Sequence, residues 1–417
     1  MNGVAESAQR QIPGTTPPVR LLTLTTLFPN ARQPRHGIFV ANRLRKLCET
    51  GRAEAEVIAA VPVFPCAYRH VIEVPARERM DRFDVRHPRY FQIPGVGMRA
   101  QPDSLARAIL REIRRGDAGA FDLVDAHYFY PDGVAAAYVA NELDLPLVIS
   151  ARGSDINLIG NIPFARERML RAANSAKALI AVSEALANRM RAIGMPSERI
   201  HVLRNGVDSA MFRPMPKAEA RACLGLDGGS KWILGVGNLV TEKGFEVLIR
   251  AVGELPDTRL MIIGEGSLRA TLQGLAASCA PGRVVFRGNM PQRDLPAAYS
   301  AADLLALPSL REGWPNVLLE SIACGTPVVA AAVGGVAEII RSSAPGVMVG
   351  EHTPAVWRDA LRRALAAPQD PERVRAYAFQ FGWDDVVDRQ CALYEDVVRG
   401  WRTRSRAPDR PTARSHA

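Results

Sequence analysis

The chain has 417 residues, 47% of them hydrophobic and 23% charged, a globular composition that excludes a disordered or fibrous protein. No run of about 18 apolar residues passes without a charge or a breaker, which excludes a spanning helix. The formal charge of +10 is uneven: residues 1–208 carry 28 Lys+Arg against 21 Asp+Glu, residues 209–401 carry 20 against 21, and residues 402–417 carry 5 against 1.

Only five of the cations are lysine, so the excess is arginine. It fits a GC-rich coding bias or a face for anionic lipid or nucleic acid. The six cysteines, Cys48, Cys66, Cys223, Cys279, Cys324 and Cys391, show neither C-x-x-C nor zinc spacing, as expected of small buried side chains in a reducing compartment. The first ten residues include Glu6 and lack the apolar core of a secretory signal.

Residues 1–18 are polar with Pro13, Pro17 and Pro18 and read as a flexible leader. A strand pattern covers 20–28. A helix from about Ile38 to Thr50 follows, with Phe39, Val40, Leu44 and Leu47 inward. Apolar runs suited to buried strands recur at 56–63, 123–126, 147–150, 178–182 and 201–203, with helical patterns between several of them. After a linker at 208–217 containing Pro214 and Pro216, the pattern restarts with runs at 232–236, 259–263, 284–286, 304–307, 328–331 and 347–349. Near-continuous apolar strands alternating with helices predict parallel sheets covered on both faces. The fold class is therefore α/β, two doubly wound domains (19–208 and 209–382) facing across a cleft. A helix over 383–401 packs back toward the first domain, and a basic disordered tail covers 402–417. Ligands of such sheets lie beyond the carboxyl ends of the strands.

Glu312-Gly-Trp-Pro-Asn-Val-Leu-Leu-Glu320 follows the strand at 304–307. Gly313 and Pro315 break structure, and Asn316 is placed to cap the next helix. The free backbone N–H groups of Asn316, Val317 and Leu318 suit a phosphate. Glu312 and Glu320 bracket that point as acceptors for sugar hydroxyls. Two solvated acids are the plain alternative.

This E-x7-E, with Ser321-Ile-Ala-Cys-Gly-Thr-Pro-Val-Val329 and Gly334-Gly335-Val-Ala-Glu338, resembles the retaining GT-B glycosyltransferases of family 4, over about Leu22 to Tyr394. The resemblance implies two Rossmann-like domains, a nucleotide-sugar donor (UDP- or GDP-linked) held by the second and an acceptor by the first, and no metal. Consistently, no Asp-x-Asp stands at a strand end in the cleft. Glu312 would then contact the transferred sugar and Glu320 the ribose.

Gly235-Val-Gly-Asn-Leu-Val-Thr-Glu-Lys243-Gly244 fails as a dinucleotide fingerprint, since Val240 stands where the third Gly belongs. It is similar to the family's diphosphate loop, in which Lys243 matches the Lys and Asn238 replaces the Arg. Ile263-Gly-Glu-Gly places Glu265 near the nucleotide, and Arg287-Gly-Asn-Met290 matches the segment that meets the base. In the first domain, His127 of Asp125-Ala-His127 matches the active-site His and is expected to orient the sugar or acceptor. Ser150-Ala-Arg152-Gly-Ser-Asp155 resembles H-G-x-D with Arg152 in place of the His. Arg152 is the candidate for the cation missing at Asn238, and Asp155 either accepts from an acceptor hydroxyl or caps a helix. Gly37 matches the glycine that lets backbone approach the reacting phosphate. Arg35 and His36 beside it are phosphate contacts or a solvated loop. Asn205-Gly206 reads as a structural turn.

The expected activity is retaining transfer of a sugar (an EC 2.4 hexosyltransferase type) to a saccharide or lipid-linked saccharide, in exopolysaccharide or cell-envelope synthesis of a bacterium, at a cytoplasmic location. The basic amphipathic helix 106–115 raises peripheral contact with an anionic membrane. The rivals are a nucleotide-sugar epimerase or a phosphorylase on the same fold, and a basic nucleic-acid-binding protein. No RNA-binding aromatic signature or zinc finger supports the last.

Overall fold

A computed structural model describes residues 17–64, 74–93, 97–116 and 119–405. The first domain contributes strands β1 (Val19–Leu24), β2 (Ala53–Ile58), β3 (Val61–Val63), β4 (Arg77–Met80), β5 (Phe83–Arg86), β6 (Arg89–Phe91), β7 (Leu123–His127), β8 (Leu147–Ala151), β9 (Ala178–Ala181) and β10 (Ile200–Val202). Eight of them form one sheet in the order β10-β9-β8-β7-β1-β2-β5-β4, and β3 and β6 form a separate two-stranded ribbon. Every pairing is parallel except β4 with β5. The second domain adds β11 (Lys231–Val236), β12 (Thr258–Ile263), β13 (Val284–Phe286), β14 (Leu304–Leu307), β15 (Val328–Ala331) and β16 (Gly346–Val349). Their order is β13-β12-β11-β14-β15-β16, all parallel.

Central strands are apolar on both faces because helices cover both. Leu21, Leu22, Ile262 and Ile263 have no exposed surface, the pattern of buried parallel strands. In each sheet the strand order reverses at one point, between β1 and β7 in the first domain and between β11 and β14 in the second. Loops leaving these strands open a crevice there. Those loops carry Gly37, Lys243 and Glu312, and His127 is the last residue of β7.

The structure departs from the sequence expectations in several places. β1 stops at Leu24, so Phe28 lies in the following loop. The single run at 56–63 is two strands separated by Ala59 and Ala60. The hairpin β4–β5 and strand β6 had no apolar run to announce them. In the helix Gln101–Arg115, Leu105, Ala106, Ala108, Ile109 and Ile113 are buried in the domain, so its apolar stripe does not face outward. The last helix runs Asp384–Ser405. Residues 402–405 are therefore helical rather than tail, and Arg402 donates to Asp122. Residues 1–16 and 406–417, which make up nearly all of the expected leader and tail, lie outside the described residues.

That last helix packs on the first domain. Trp383, Val387, Cys391, Tyr394 and Val398 share a core with Leu21, Val40, Leu44 and Leu203. The chain thus crosses between domains twice, and the crossings are joined where Val207 N–H donates to the Phe381 carbonyl at 2.8 Å.

Candidate active site

A cavity of about 540 Å³ lies between the domains. The second domain supplies Glu320, Asn316, Val317 and Met290, and the helix Ile38–Glu49 of the first domain forms the facing wall with Ile38, Phe39 and Asn42. Glu320 is buried, and its Oε2 accepts from the Tyr299 hydroxyl at 2.6 Å. Burial pushes its carboxyl above the ordinary value, opposed by hydrogen bonds from Tyr299 and Gln292. Gln292 in turn accepts from Asn42 Nδ2 at 3.0 Å, and Arg35 donates to Asn289 at 3.2 Å, both across the cleft.

Asn316 is not a cap: the helix Asn316–Ala323 begins with it, and Pro315 holds the cap position. Its side-chain oxygen instead accepts from Asn205 Nδ2 of the interdomain crossing at 3.2 Å, and Trp314 Nε1 donates to the Asn205 carbonyl at 2.9 Å. The Asn205 turn is thus a strut between domains as well as a bend. Leu318 drops out of the expected N–H triplet, because its N–H donates to the Pro315 carbonyl at 3.1 Å and its side chain is in the core.

At the second-domain crevice, Lys243 Nζ lies 2.7 Å from Glu312 Oε1. The two residues singled out separately are partners, so an arriving anion must share Lys243 with Glu312. Asn238 is exposed at the end of β11 and does not line the cavity. Glu265 is bound by Arg269 one turn on and, like Lys243, Glu312 and Arg152, lies outside the cavity lining.

Gly313 touches the first domain: a Cβ there would meet the Arg152 carbonyl at 2.5 Å and the Gly153 Cα at 3.0 Å. Only two glycines let the backbones approach this closely. Gly37 begins the helix Ile38–Glu49 with φ +63°, and a Cβ would strike the Leu27 carbonyl at 2.2 Å. His36 Nε2 meets the Thr26 carbonyl at 2.9 Å, a bond internal to the loop, and is not part of the lining.

In the first domain, His127 is buried. Its Nε2 lies 3.0 Å from Asp125 Oδ2, somewhat off the line of a straight hydrogen bond. Its Nδ1 meets the Arg152 guanidinium. Burial and the nearby Arg152 lower its pKa, with Asp125 opposing. Both ring nitrogens face protein groups in this structure, Nδ1 bonded to Arg152 and Nε2 beside Asp125 without an aligned hydrogen bond. Burial takes Arg152 down to about 9. It remains cationic at neutral pH, its Nε and Nη1 are enclosed without partners, and it stands 5.6 Å from the Phe39 ring.

Asp155 does not cap the helix Ser154–Asn157, whose cap position is Gly153, but ties the backbone that leads into it. It is buried, and its oxygens accept from the backbone N–H groups of Phe129, Arg152 and Gly153 at 2.7–3.2 Å. No room remains for an acceptor hydroxyl. Sequence reasoning missed Gln292 and Asn42, which line the cavity from separate elements, and the buried Tyr299, which holds Glu320 from behind. It also missed Asp125, for which a signal existed: an acid two residues before His127 on an otherwise apolar strand. Among the described residues, no group of three His, Cys, Asp or Glu side chains could hold a metal.

The family model "Glycosyl transferases group 1" matches residues 216–381, and "Glycosyltransferase Family 4" matches residues 63–210. The chain is 31% identical to D-inositol 3-phosphate glycosyltransferase 1 of Catenulispora acidiphila over 93% of this chain and 98% of that protein. It is 30% identical to the putative teichuronic acid biosynthesis glycosyltransferase TuaC of Bacillus subtilis over 91% and 94%. Anabaena HepE in complex with UDP and glucose superposes with a TM-score of 0.71 at 20% identity, covering 90% of this chain and 99% of that one.

Proposed function

We propose that this chain, which belongs to the group 1 glycosyltransferases of GT-B fold and uses a nucleotide-sugar donor, is a retaining enzyme acting on a cell-envelope or exopolysaccharide acceptor. The observation that carries this reading is the buried Glu320 on the cavity, beside the start of the helix at Asn316. A buried carboxylate with lone pairs left over beyond Tyr299 and Gln292 suits the two hydroxyls of a ribose. Met290 then faces the base. The N–H groups of Asn316 and Val317 on the cavity wall would receive the diphosphate, Lys243 and Arg152, which lie outside the lining, would turn toward it, and Glu312 would then take sugar hydroxyls. In the reaction, the bond from the sugar's anomeric carbon to the phosphate oxygen breaks. A bond to the acceptor oxygen forms on the same face, and the acceptor's proton passes to the leaving diphosphate. The cations stabilise the charge as it develops there. Closure of the domains excludes water that would hydrolyse the donor. No step calls for a metal.

The relatives' names indicate a polar hydroxyl acceptor, a phosphorylated cyclitol or an envelope polysaccharide. Exposed Arg107 and Arg111 share a surface groove with the exposed Phe91 and Ile93, which favours reversible contact with an anionic membrane at its cytoplasmic face. Co-sedimentation with anionic vesicles should be lost at high salt; binding that salt does not weaken would contradict an electrostatic contact. No helix among the described residues is long and apolar enough to cross a membrane.

The test is a thermal-shift panel of UDP-, GDP- and ADP-sugars, since a donor that binds raises Tm by mass action. The stabilising donor should support transfer in wild type, with kcat/KM about 10²-fold lower in Lys243→Ala. Wild-type turnover in that variant sinks the assignment, and conversion of donor without acceptor would indicate an epimerase.

A further inference from the structure

We propose that Tyr394, on the C-terminal helix, is a positioning residue for the transfer reaction: its hydroxyl sets Asp125, Asp125 sets the His127 ring, and the ring sets the Arg152 guanidinium at the domain boundary. The inference rests on the glycosyltransferase reading and goes beyond it.

Successive strand residues point to opposite faces. On β7, Val124 and Ala126 face one layer, while Leu123, Asp125 and His127 face the other. That second layer holds the C-terminal helix, where Leu123 shares a core with Tyr394 and Val398. A carboxylate placed there must find donors or remain costly. Tyr394 supplies one, donating to Asp125 Oδ1 at 2.8 Å. Gln390, one turn earlier, donates its Nε2 to the same hydroxyl oxygen at 2.6 Å. With its acceptor side occupied, the hydroxyl directs its only proton at Asp125. Burial alone would raise the Asp125 carboxyl, yet His127, Tyr394 and Arg152 hold it below its ordinary value.

The other Asp125 oxygen faces His127 Nε2. On the far side of the ring, Nδ1 meets Arg152. A guanidinium has no acceptor, so Nδ1 is the bare nitrogen and Nε2 carries the proton toward Asp125. The tautomer is therefore fixed from the Arg152 side, and the Asp125 carboxylate, 3.0 Å from Nε2 but not aligned for a hydrogen bond, favours it by charge. Arg152 is the member of this chain that reaches the boundary, with its Nε and Nη1 unpartnered and its carbonyl against Gly313. Such a relay controls geometry rather than charge: without the Tyr394 hydroxyl, Asp125 and the ring can turn and the guanidinium loses its backstop.

Tyr394→Phe removes the hydroxyl and keeps the ring. Transfer kcat should fall about tenfold while donor KM stays within about twofold, as expected of misplacement rather than lost binding. Cys391→Ala, at a buried position of the same helix that does not touch Asp125, should keep the wild-type kcat even where it lowers Tm. A wild-type kcat in Tyr394→Phe, or an equal loss in Cys391→Ala, overturns the inference. A second readout needs no turnover: the histidine side-chain ¹⁵N spectrum, with the His127 signal identified by its absence in His127→Gln. It should show an Nε2-protonated ring in wild type and a changed pattern in Tyr394→Phe; an unchanged pattern overturns the inference. If wild type transfers sugar from no donor, the glycosyltransferase reading fails, and the spectrum still decides the role of Tyr394.

Discussion

The two walls of the cleft treat buried polar groups in opposite ways. On the second-domain side, Glu320 keeps unfilled acceptor positions facing a cavity, and Glu312 and Lys243 hold each other until something displaces them. On the first-domain side, Asp125, Asp132 and Asp155 are all buried, and each accepts from donors of its own domain or of the C-terminal helix. The main exception is the Asp125–His127–Arg152 cluster, where Asp125 Oδ2, His127 Nε2 and two Arg152 nitrogens lack hydrogen-bond partners. On the proposed reading, one wall would bind by exchanging partners, and the other would hold a cation in place. Acidic residues near a crevice are therefore poor guides to ligand contact until their lone pairs are counted.

The sharpest way to break this contrast is at the exception. Arg152→Ala should lower kcat/KM about 10²-fold. Adding Asn238→Arg, which places a cation on the opposite wall, should regain roughly tenfold of the loss if both serve the same diphosphate. Measured donor kinetics showing no recovery would separate the two positions. A smaller effect on catalysis, with a larger one on stability, is expected at Asp155. Asp155→Ala leaves buried N–H groups without acceptors, costing about 1–3 kcal/mol for each group left bare. Tm should drop by several degrees while the donor-induced shift persists; loss of that shift with Tm unchanged would return Asp155 to the binding residues.

An effect on stability alone, read against pH, is expected at Asp132, whose carboxyl accepts from the Thr26 hydroxyl at 3.0 Å and which burial pushes up to about 8 from 3.8. A carboxyl raised on folding favours the folded state below its unfolded pKa, and that benefit is lost as pH rises through the folded value. Wild-type Tm should therefore decline between about pH 4 and 8, and Asp132→Asn should flatten the decline. Parallel Tm curves for the two proteins would show that Asp132 is ionised throughout.

The parallel core was legible because strands buried on both faces must be apolar without interruption. Arg77-Glu-Arg-Met80 was not, because an edge strand exposed along its length carries no such run. The helix start at 316 and the Lys243 loop were legible because glycine, proline and charge mark them locally. Tyr299, Gln292 and Tyr394 were not, since each becomes part of a site only when a helix distant in sequence is laid against it. Arg43 shows the same limit. It lies among the inward positions of an amphipathic helix, fully enclosed by Gln390, Leu203 and Asn205, and nothing local separates it from a surface arginine.

The double crossing also bears on how the protein is made. The core that holds Val19, Leu203 and Val398 together spans nearly the whole chain, with the entire second domain inserted between its parts. On a ribosome adding about 5–20 residues per second, the stretch from Leu203 to Val398 takes roughly 10–40 seconds. During that interval the first sheet and the helix Ile38–Glu49 stand with an uncovered apolar face, and the buried Asp125 lacks its Tyr394 partner. The second domain, with all six of its strands drawn from residues 231–349, can complete its own sheet first. The nascent chain therefore closes in reverse of its order of synthesis, and the face awaiting the last helix is where a chaperone would bind.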